Sequence, residues 1–187
     1  MNNINNKEDL KNAEASNSPE CLVINRVWAM PNKNTFSIKP IAELIARHLA
    51  GKSIDPFANS NKLATITNDL NTEFDTDYHL DALAFLKLFN DESIDTVLFD
   101  PPYSPRQISE CYKAFDMAVN MQTTQASFWG NMKKEITRVV RRNGKVITCC
   151  WNSGGIGKTA GFKQLEILLV PHGGWHNDTI VTVEQKW

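Results

Sequence analysis

A strand that is forced to stop constrains this chain more than any other feature. Residues Ile94 to Phe99 (IDTVLF) form an apolar run rich in β-branched side chains, preceded by the turn-prone segment Asn90-Asp91-Glu92-Ser93. That pattern predicts a buried strand. Asp100 follows, and then Pro101 and Pro102, which lack backbone N–H groups and cannot continue a central ladder. The result is a stiff loop just beyond the carboxyl end of a strand, carrying an acid and the ring of Tyr103. Open α/β sheets bind their ligands in that position. A carboxylate acceptor, locked backbone carbonyls and a flat aromatic surface suit a planar amide or amine.

The 187 residues fit one domain with a sizeable core. A net charge of −1 supplies no overall basic field, although a local basic face would be enough for a nucleic-acid partner. There is no apolar run long enough for a membrane span and no signal-peptide core at the N-terminus. Residues 1–20, rich in Asn, Ser, Lys and Glu, predict a disordered tail, and residues 21–187 a single domain. Cys21, Cys111, Cys149 and Cys150 include an adjacent pair but no CxxC spacing. They read as reduced core thiols of a cytoplasmic protein, with no metal site.

Ahead of the central motif, Asn34 to Gly51 predicts an amphipathic helix. Ile38, Ile41, Leu44, Ile45, His48 and Leu49 recur at helical spacing, Thr35 or Ser37 is the cap, and Pro40 sits in the first turn. Ser53 to Asn61 (SIDPFANSN) reads as a short strand running into a loop. Too few residues separate it from the next strand, TITND, to hold a crossover helix, and Leu70 to Asp77 is equally short. Asp69 closes the second strand. Asp81 stands where a short strand meets a helix whose apolar face is Leu83, Phe85, Leu86 and Phe89, a good position for a cap.

Beyond the motif, one helix is expected through Glu110, Tyr112, Phe115 and Val119, and another from Ser127 to Arg142. Lys133, Lys134, Arg138, Arg141, Arg142 and Lys145 make the second region the most basic in the chain, either a phosphate-facing patch or a solvated helix end. The strand KVITCCW leads into WNSGGIGKT. A P-loop needs a glycine five positions before Gly157, where Asn152 stands, so nucleotide hydrolysis is set aside. The glycines read instead as a flexible lid or a DNA-facing loop. Two β-rich runs around PHGGWHND predict a terminal hairpin, with Trp175 a stacking or interface residue and no metal at His172 and His176.

Taken in order, these segments resemble the amino-directed, adenine-specific DNA methyltransferases over nearly all of Asn34 to Lys186, and in particular compact members of phage or prophage type. The resemblance implies an α/β, Rossmann-like fold for S-adenosylmethionine-dependent methyl transfer. Its sheet would be mostly parallel with a C-terminal antiparallel hairpin, and helices would be reduced between the first strands. It implies that Asp100, Pro101, Pro102 and Tyr103 hold the exocyclic amine of a flipped adenine. S-adenosylmethionine would meet Phe36 and Lys39, the loop Asp55-Pro56-Phe57-Ala58, Asp69 at the ribose, Asp81 with Ala82 at the adenine amine, and Asp100. Ser104 and Arg106 would rim the base pocket, with Trp151 and Asn152 as its wall. The family's cofactor loop carries glycines where Asn59 and Asn61 stand here. Asparagine tolerates left-handed backbone best after glycine. DNA is the implied partner, and a homodimer or a second protein would supply site recognition. Methyl transfer to RNA, a cytosine amine or a protein amide, and a binding module without catalysis, are the other readings.

Overall fold

The computed structural model describes residues 21–114 and 126–187, and the sheet it contains is built around the strand that the prolines end. That strand, β4 (Ile94–Phe99), is buried along its length except for a half-buried Asp95. The elements before it are β1 (Val23–Arg26), α1 (Lys39–His48), β2 (Ser53–Asp55), β3 (Ile66–Thr67) and α2 (Ala82–Leu86). After it come α3 (Pro105–Ala114), α4 (Ala126–Val139), β5 (Val140–Cys150), β6 (Phe162–Val170) and β7 (Thr179–Lys186). The seven strands lie in the order β1-β6-β7-β5-β4-β2-β3. β4 is parallel to β2 and β5, and β7 runs antiparallel between β5 and β6.

Alternation along β4 creates two apolar layers. Val97 and Phe99 pack with Ile54, Phe85, Met132 and Ile136 on the side of α2 and α4. Leu98 packs with Ile41, Leu44, Ile45 and Ile147 under α1. Each such side chain, fully buried, contributes about 1.5–3 kcal/mol. α1 is also tied to the sheet by Arg47 and His48, which meet the Glu166 carboxylate of β6 at 2.7 and 2.8 Å.

As the short links require, no helix separates β2 from β3. The two are direct parallel neighbours, with Ile54 opposite Ile66. The strand expected after Leu70 to Asp77 is a single bridge between Asn68 and Tyr78.

Four expectations need correction. Neither Thr35 nor Ser37 caps α1. They form a separate 3₁₀ turn held by the buried Phe36, and the uncapped Ile38 precedes the helix. The basic helix ends at Val139 rather than Arg142, because Val140 already pairs with Ile94 as the start of β5. Asn143 then turns at φ 63°, and a Cβ on Gly144 would lie 2.8 Å from the Val140 side chain. The parallel edge strand β1 was not anticipated; its residues are exposed, so it shows no burial pattern. Cys21 is exposed and is no core thiol, whereas Cys149 is buried. The predicted tail 1–20 and the helical residues Phe115 and Val119 lie outside the described residues, as does the Tyr112 side chain. No helix among the described residues is long and apolar enough to cross a membrane.

Candidate active site

The loop after β4 is held from three directions. The Trp129 indole on α4 donates to the Pro102 carbonyl at 2.9 Å. The Tyr103 amide donates to Gln107 Oε1 on α3 at 2.7 Å. The Tyr103 hydroxyl donates to Asp100 Oδ1. So fixed, the loop forms a wall between two cavities that share Pro101 and Tyr103. Burial raises the Asp100 pKa to about 6, even though the hydroxyls of Tyr103 and Thr35 both lower it. The Tyr103 phenol is pushed up in turn, by burial first and then by the Asp100 charge.

The first cavity, about 310 Å³, is lined by Phe36, Phe57, Ala58, Asn59, Asp69, Asp100 and Pro102 among others. Its size is at the lower end of small-molecule sites. Asn59 has φ 54°, so the loop adopts the left-handed geometry that glycine would otherwise supply. Asn61 does not; it is buried and its side-chain oxygen accepts from Leu63 N–H at 2.9 Å. Asp69 accepts from the amides of Asn59 and Asn71, each at 2.8 Å, and thereby bridges loop and strand end. Asp55 lies behind the loop, 1% exposed, with Oδ1 bonded to Phe57 N–H and Oδ2 buried without a partner among the described residues. Burial raises its pKa, and the nearby charges of Asp100 and Asp69 add to the effect.

Other predicted residues stand apart from this cavity. Lys39 is exposed at the start of α1 and does not line it. Asp81 caps α2, accepting from Leu83 N–H at 3.0 Å and Ala84 N–H at 3.4 Å, and Ala82 is packed in the core. Pro56 is buried, its carbonyl bonded to the Asn68 side chain.

The second cavity, about 480 Å³, lies on the α4 side and is lined by Phe99, Trp129, Lys133, Thr148, Cys150 and Asn152 among others. Asn152 reaches it, and its Oδ1 accepts from Gly154 N–H at 2.8 Å. Trp151 meets Tyr103 edge-on, with ring centroids 5.6 Å apart. Ser104 accepts from Gln107 N–H at the start of α3. Arg106 is 87% exposed and paired with Glu110.

Two sequence readings change here. The glycine segment is no free lid. The buried Glu184 carboxylate accepts from the amides of Ile156 and Gly157, and Lys133 donates to the Gly155 carbonyl. The backbone concavity that the GKT string invites as a phosphate cradle is therefore filled by the protein's own carboxylate. The basic region is also largely engaged internally: Arg138 bonds Glu135, Asp91 and the Phe89 carbonyl, and Arg141 pairs with Asp95.

Sequence reasoning did not place Gln107, Asn68 or Trp129 at the site, and it gave Thr35 only as a helix cap. Thr35 and Gln107 line the first cavity and Trp129 the second, while Asn68 acts from behind the loop, and no local pattern reveals their partners. His172 is a structural residue, bonded to the Ala29 carbonyl at 2.8 Å and the Thr179 hydroxyl at 2.9 Å.

Solved structures share this architecture. TrmN from Thermus thermophilus matches with a TM-score of 0.53 over 80% of this chain and 49% of its own, at 15% identity. The Burkholderia thailandensis 1,6-didemethyltoxoflavin-N1-methyltransferase, solved with 1,6-didemethyltoxoflavin and S-adenosylhomocysteine bound, matches at 0.52 over 78% of this chain and 75% of its own, at 13% identity. The chain thus spans about half the length of the Thermus protein. No protein-family model matches the sequence, and no curated protein matches it. The fold is that of the S-adenosylmethionine-dependent methyltransferases, a mostly parallel sheet with a C-terminal antiparallel pair.

Proposed function

We propose that this chain transfers a methyl group from S-adenosylmethionine to the exocyclic amine of adenine in DNA. The observation that carries this reading is the Asp100-Pro101-Pro102-Tyr103 wall between two cavities, one acid-lined and one apolar with a few polar groups. The acid-lined cavity fits the cofactor chemically. Asp69 and Asp100 line it, and their charges raise the cost of ionising the buried Asp55 behind the loop. A ligand with an ammonium and a sulfonium centre would offset that gathering of negative charge. Phe36, Phe57, Ala58, Asn59 and Asp69 would hold it.

When bound, the cofactor supplies a methyl group on a positively charged sulfur, which leaves as a neutral thioether. The protein's task is to make the amine nucleophilic. An aromatic amine delocalises its lone pair into the ring. Asp100 and the Pro101 carbonyl would accept its two N–H groups and draw the nitrogen toward a tetrahedral shape. Such acceptors act most strongly when fixed beforehand in a site of low polarity, and the two prolines provide that rigidity. As the N–C bond forms, the nitrogen gains a positive charge and sheds one proton to Asp100, a better base for its raised pKa. The Tyr103 hydroxyl stands on Asp100 where the amine would bind, so base entry displaces it and frees the ring to stack.

The test is transfer from labelled S-adenosylmethionine to unmethylated duplex DNA, RNA and a protein extract, by wild type and Asp100→Ala. Label recovered as N-methyladenine in DNA, and lost in the variant, is the expected result. Label entering RNA or protein instead would overturn the substrate and keep the mechanism. Failure of the wild type to bind cofactor would overturn the enzyme reading altogether.

A further inference from the structure

Asn68 lies at the end of β3 and is completely buried, an unusual place for an amide side chain. All its polar groups are satisfied. Its Nδ2 donates to the Pro56 carbonyl at 3.0 Å and to the Leu80 carbonyl at 2.9 Å, while Oδ1 accepts from Leu80 N–H at 2.9 Å. Its backbone N–H donates to the Asp55 carbonyl, and its carbonyl accepts from Ala58 N–H, both at 2.9 Å. The paired bonds to Leu80 copy those between two strands, but one partner is a side chain. One residue thus joins the loop of Asp55 to Asn59, the strand end that carries Asp69, and the segment that leads into Asp81.

The other bonds between these segments each join only two of them, such as Asp69 to the Asn59 amide, Asp77 to Thr67, and the backbone of Thr67 and Asp69 to Tyr78. β3 is two residues long, the next strand is a single bridge, and no helix covers the β2–β3 link. We infer that Asn68 is the positioning residue of the acid-lined cavity, doing with an amide side chain the work that the short strands cannot. The inference rests on the proposed cofactor reading and extends it. Asn68 touches none of the reacting groups; it acts through the loop amides of Ala58 and Asn59 and through the placement of Asp69.

Asn68→Asp tests it closely, because it preserves size and the acceptor but turns the donor into an oxygen facing two carbonyls. Asn68→Ala removes both functions. S-adenosylhomocysteine affinity is measured by calorimetry, alongside KM for cofactor, KM for DNA and kcat at saturating cofactor. Loss of about tenfold or more in cofactor affinity is expected for both variants, as for comparable misplacements in other sites, with kcat and KM for DNA within about twofold of wild type. Equal affinities in wild type and variants would overturn the inference and leave the function standing. A proportional fall in kcat with unchanged KM values would also overturn it, since that reports only a smaller folded fraction. A wild type that binds no S-adenosylhomocysteine would instead overturn the function. If neither variant folds, amide exchange in the wild type decides. Cofactor should slow Ala58 and Leu80 together, and a Leu80 amide indifferent to cofactor would sink the inference.

Discussion

Burial and the proposed chemistry pull the ionisation of Asp100 in opposite directions. Burial places its pKa at about 6, against 3.8 for an ordinary aspartate. Catalysis by the proposed route needs the carboxylate, so kcat/KM should fall about tenfold per pH unit below pH 6. Tyr103→Phe removes a hydrogen bond that lowers the pKa, so the acid limb should move to higher pH, beyond any loss of base stacking. Stability runs the other way. The native state binds this proton more tightly than the unfolded chain does. The contribution of Asp100 to folding is therefore fully present below pH 3.8 and is lost as pH rises through about 6. Asp100→Asn cannot ionise and should be the more stable protein at pH 8, by up to about 3 kcal/mol, while being inactive. Urea unfolding of the two proteins at pH 4 and pH 8 would show it: the difference should shrink at the lower pH, and a constant difference would refute it. The motif itself was legible because prolines act on their own backbone. Trp129 was not, because the carbonyl it holds is 27 residues away in sequence.

At the scale of elements, the segments easiest to read were those whose faces differ in environment. α1 and β4 bury one stripe or both faces, and their apolar spacing says so. β1 lies exposed at the sheet edge and pairs with a strand far along the chain, so its four residues carry no such record. The glycine segment after β5 was misread for a related reason. Glycines specify permitted backbone angles, and the group that exploits them here, Glu184, comes from β7. Gly155 sits at φ 51°, and an added Cβ would lie 2.1 Å from the Glu184 carboxylate. Gly155→Ala should therefore cost about 1–3 kcal/mol from backbone strain alone, before the clash is counted. That corresponds to a fall of roughly 2–12 °C in Tm for a domain of this size. Gly161→Ala is the control, since it also has positive φ but open space where its Cβ would be. Equal losses in the two variants would mean that the contact with Glu184 contributes nothing.

Across the whole molecule, the loop after β4 divides the residues into two sets that share only Pro101 and Tyr103. Substitutions confined to one cavity should therefore change one kinetic constant and leave the other alone. Asn59→Gly removes a side chain from the acid-lined cavity at a position already in left-handed geometry. It should tighten cofactor binding about two- to tenfold, because glycine meets no steric cost there, and leave KM for the methyl acceptor unchanged. Trp129→Phe deletes the bond to the Pro102 carbonyl from the other side. Losing one hydrogen bond of about 0.5–1.5 kcal/mol should lower kcat/KM for the acceptor roughly two- to tenfold, and because Pro102 itself lines the acid-lined cavity, any change in cofactor affinity measures how far the wall transmits the loss. The double variant then discriminates between two pictures of the wall. If it is rigid, the free-energy changes add to within about 0.5 kcal/mol, as they do for independent sites. If base entry on one side shifts the loop seen by the cofactor on the other, the double variant departs from that sum. Additivity is favoured because the Tyr103 amide stays bonded to Gln107 of α3 when the Trp129 bond is lost, and the two prolines keep their own backbone fixed.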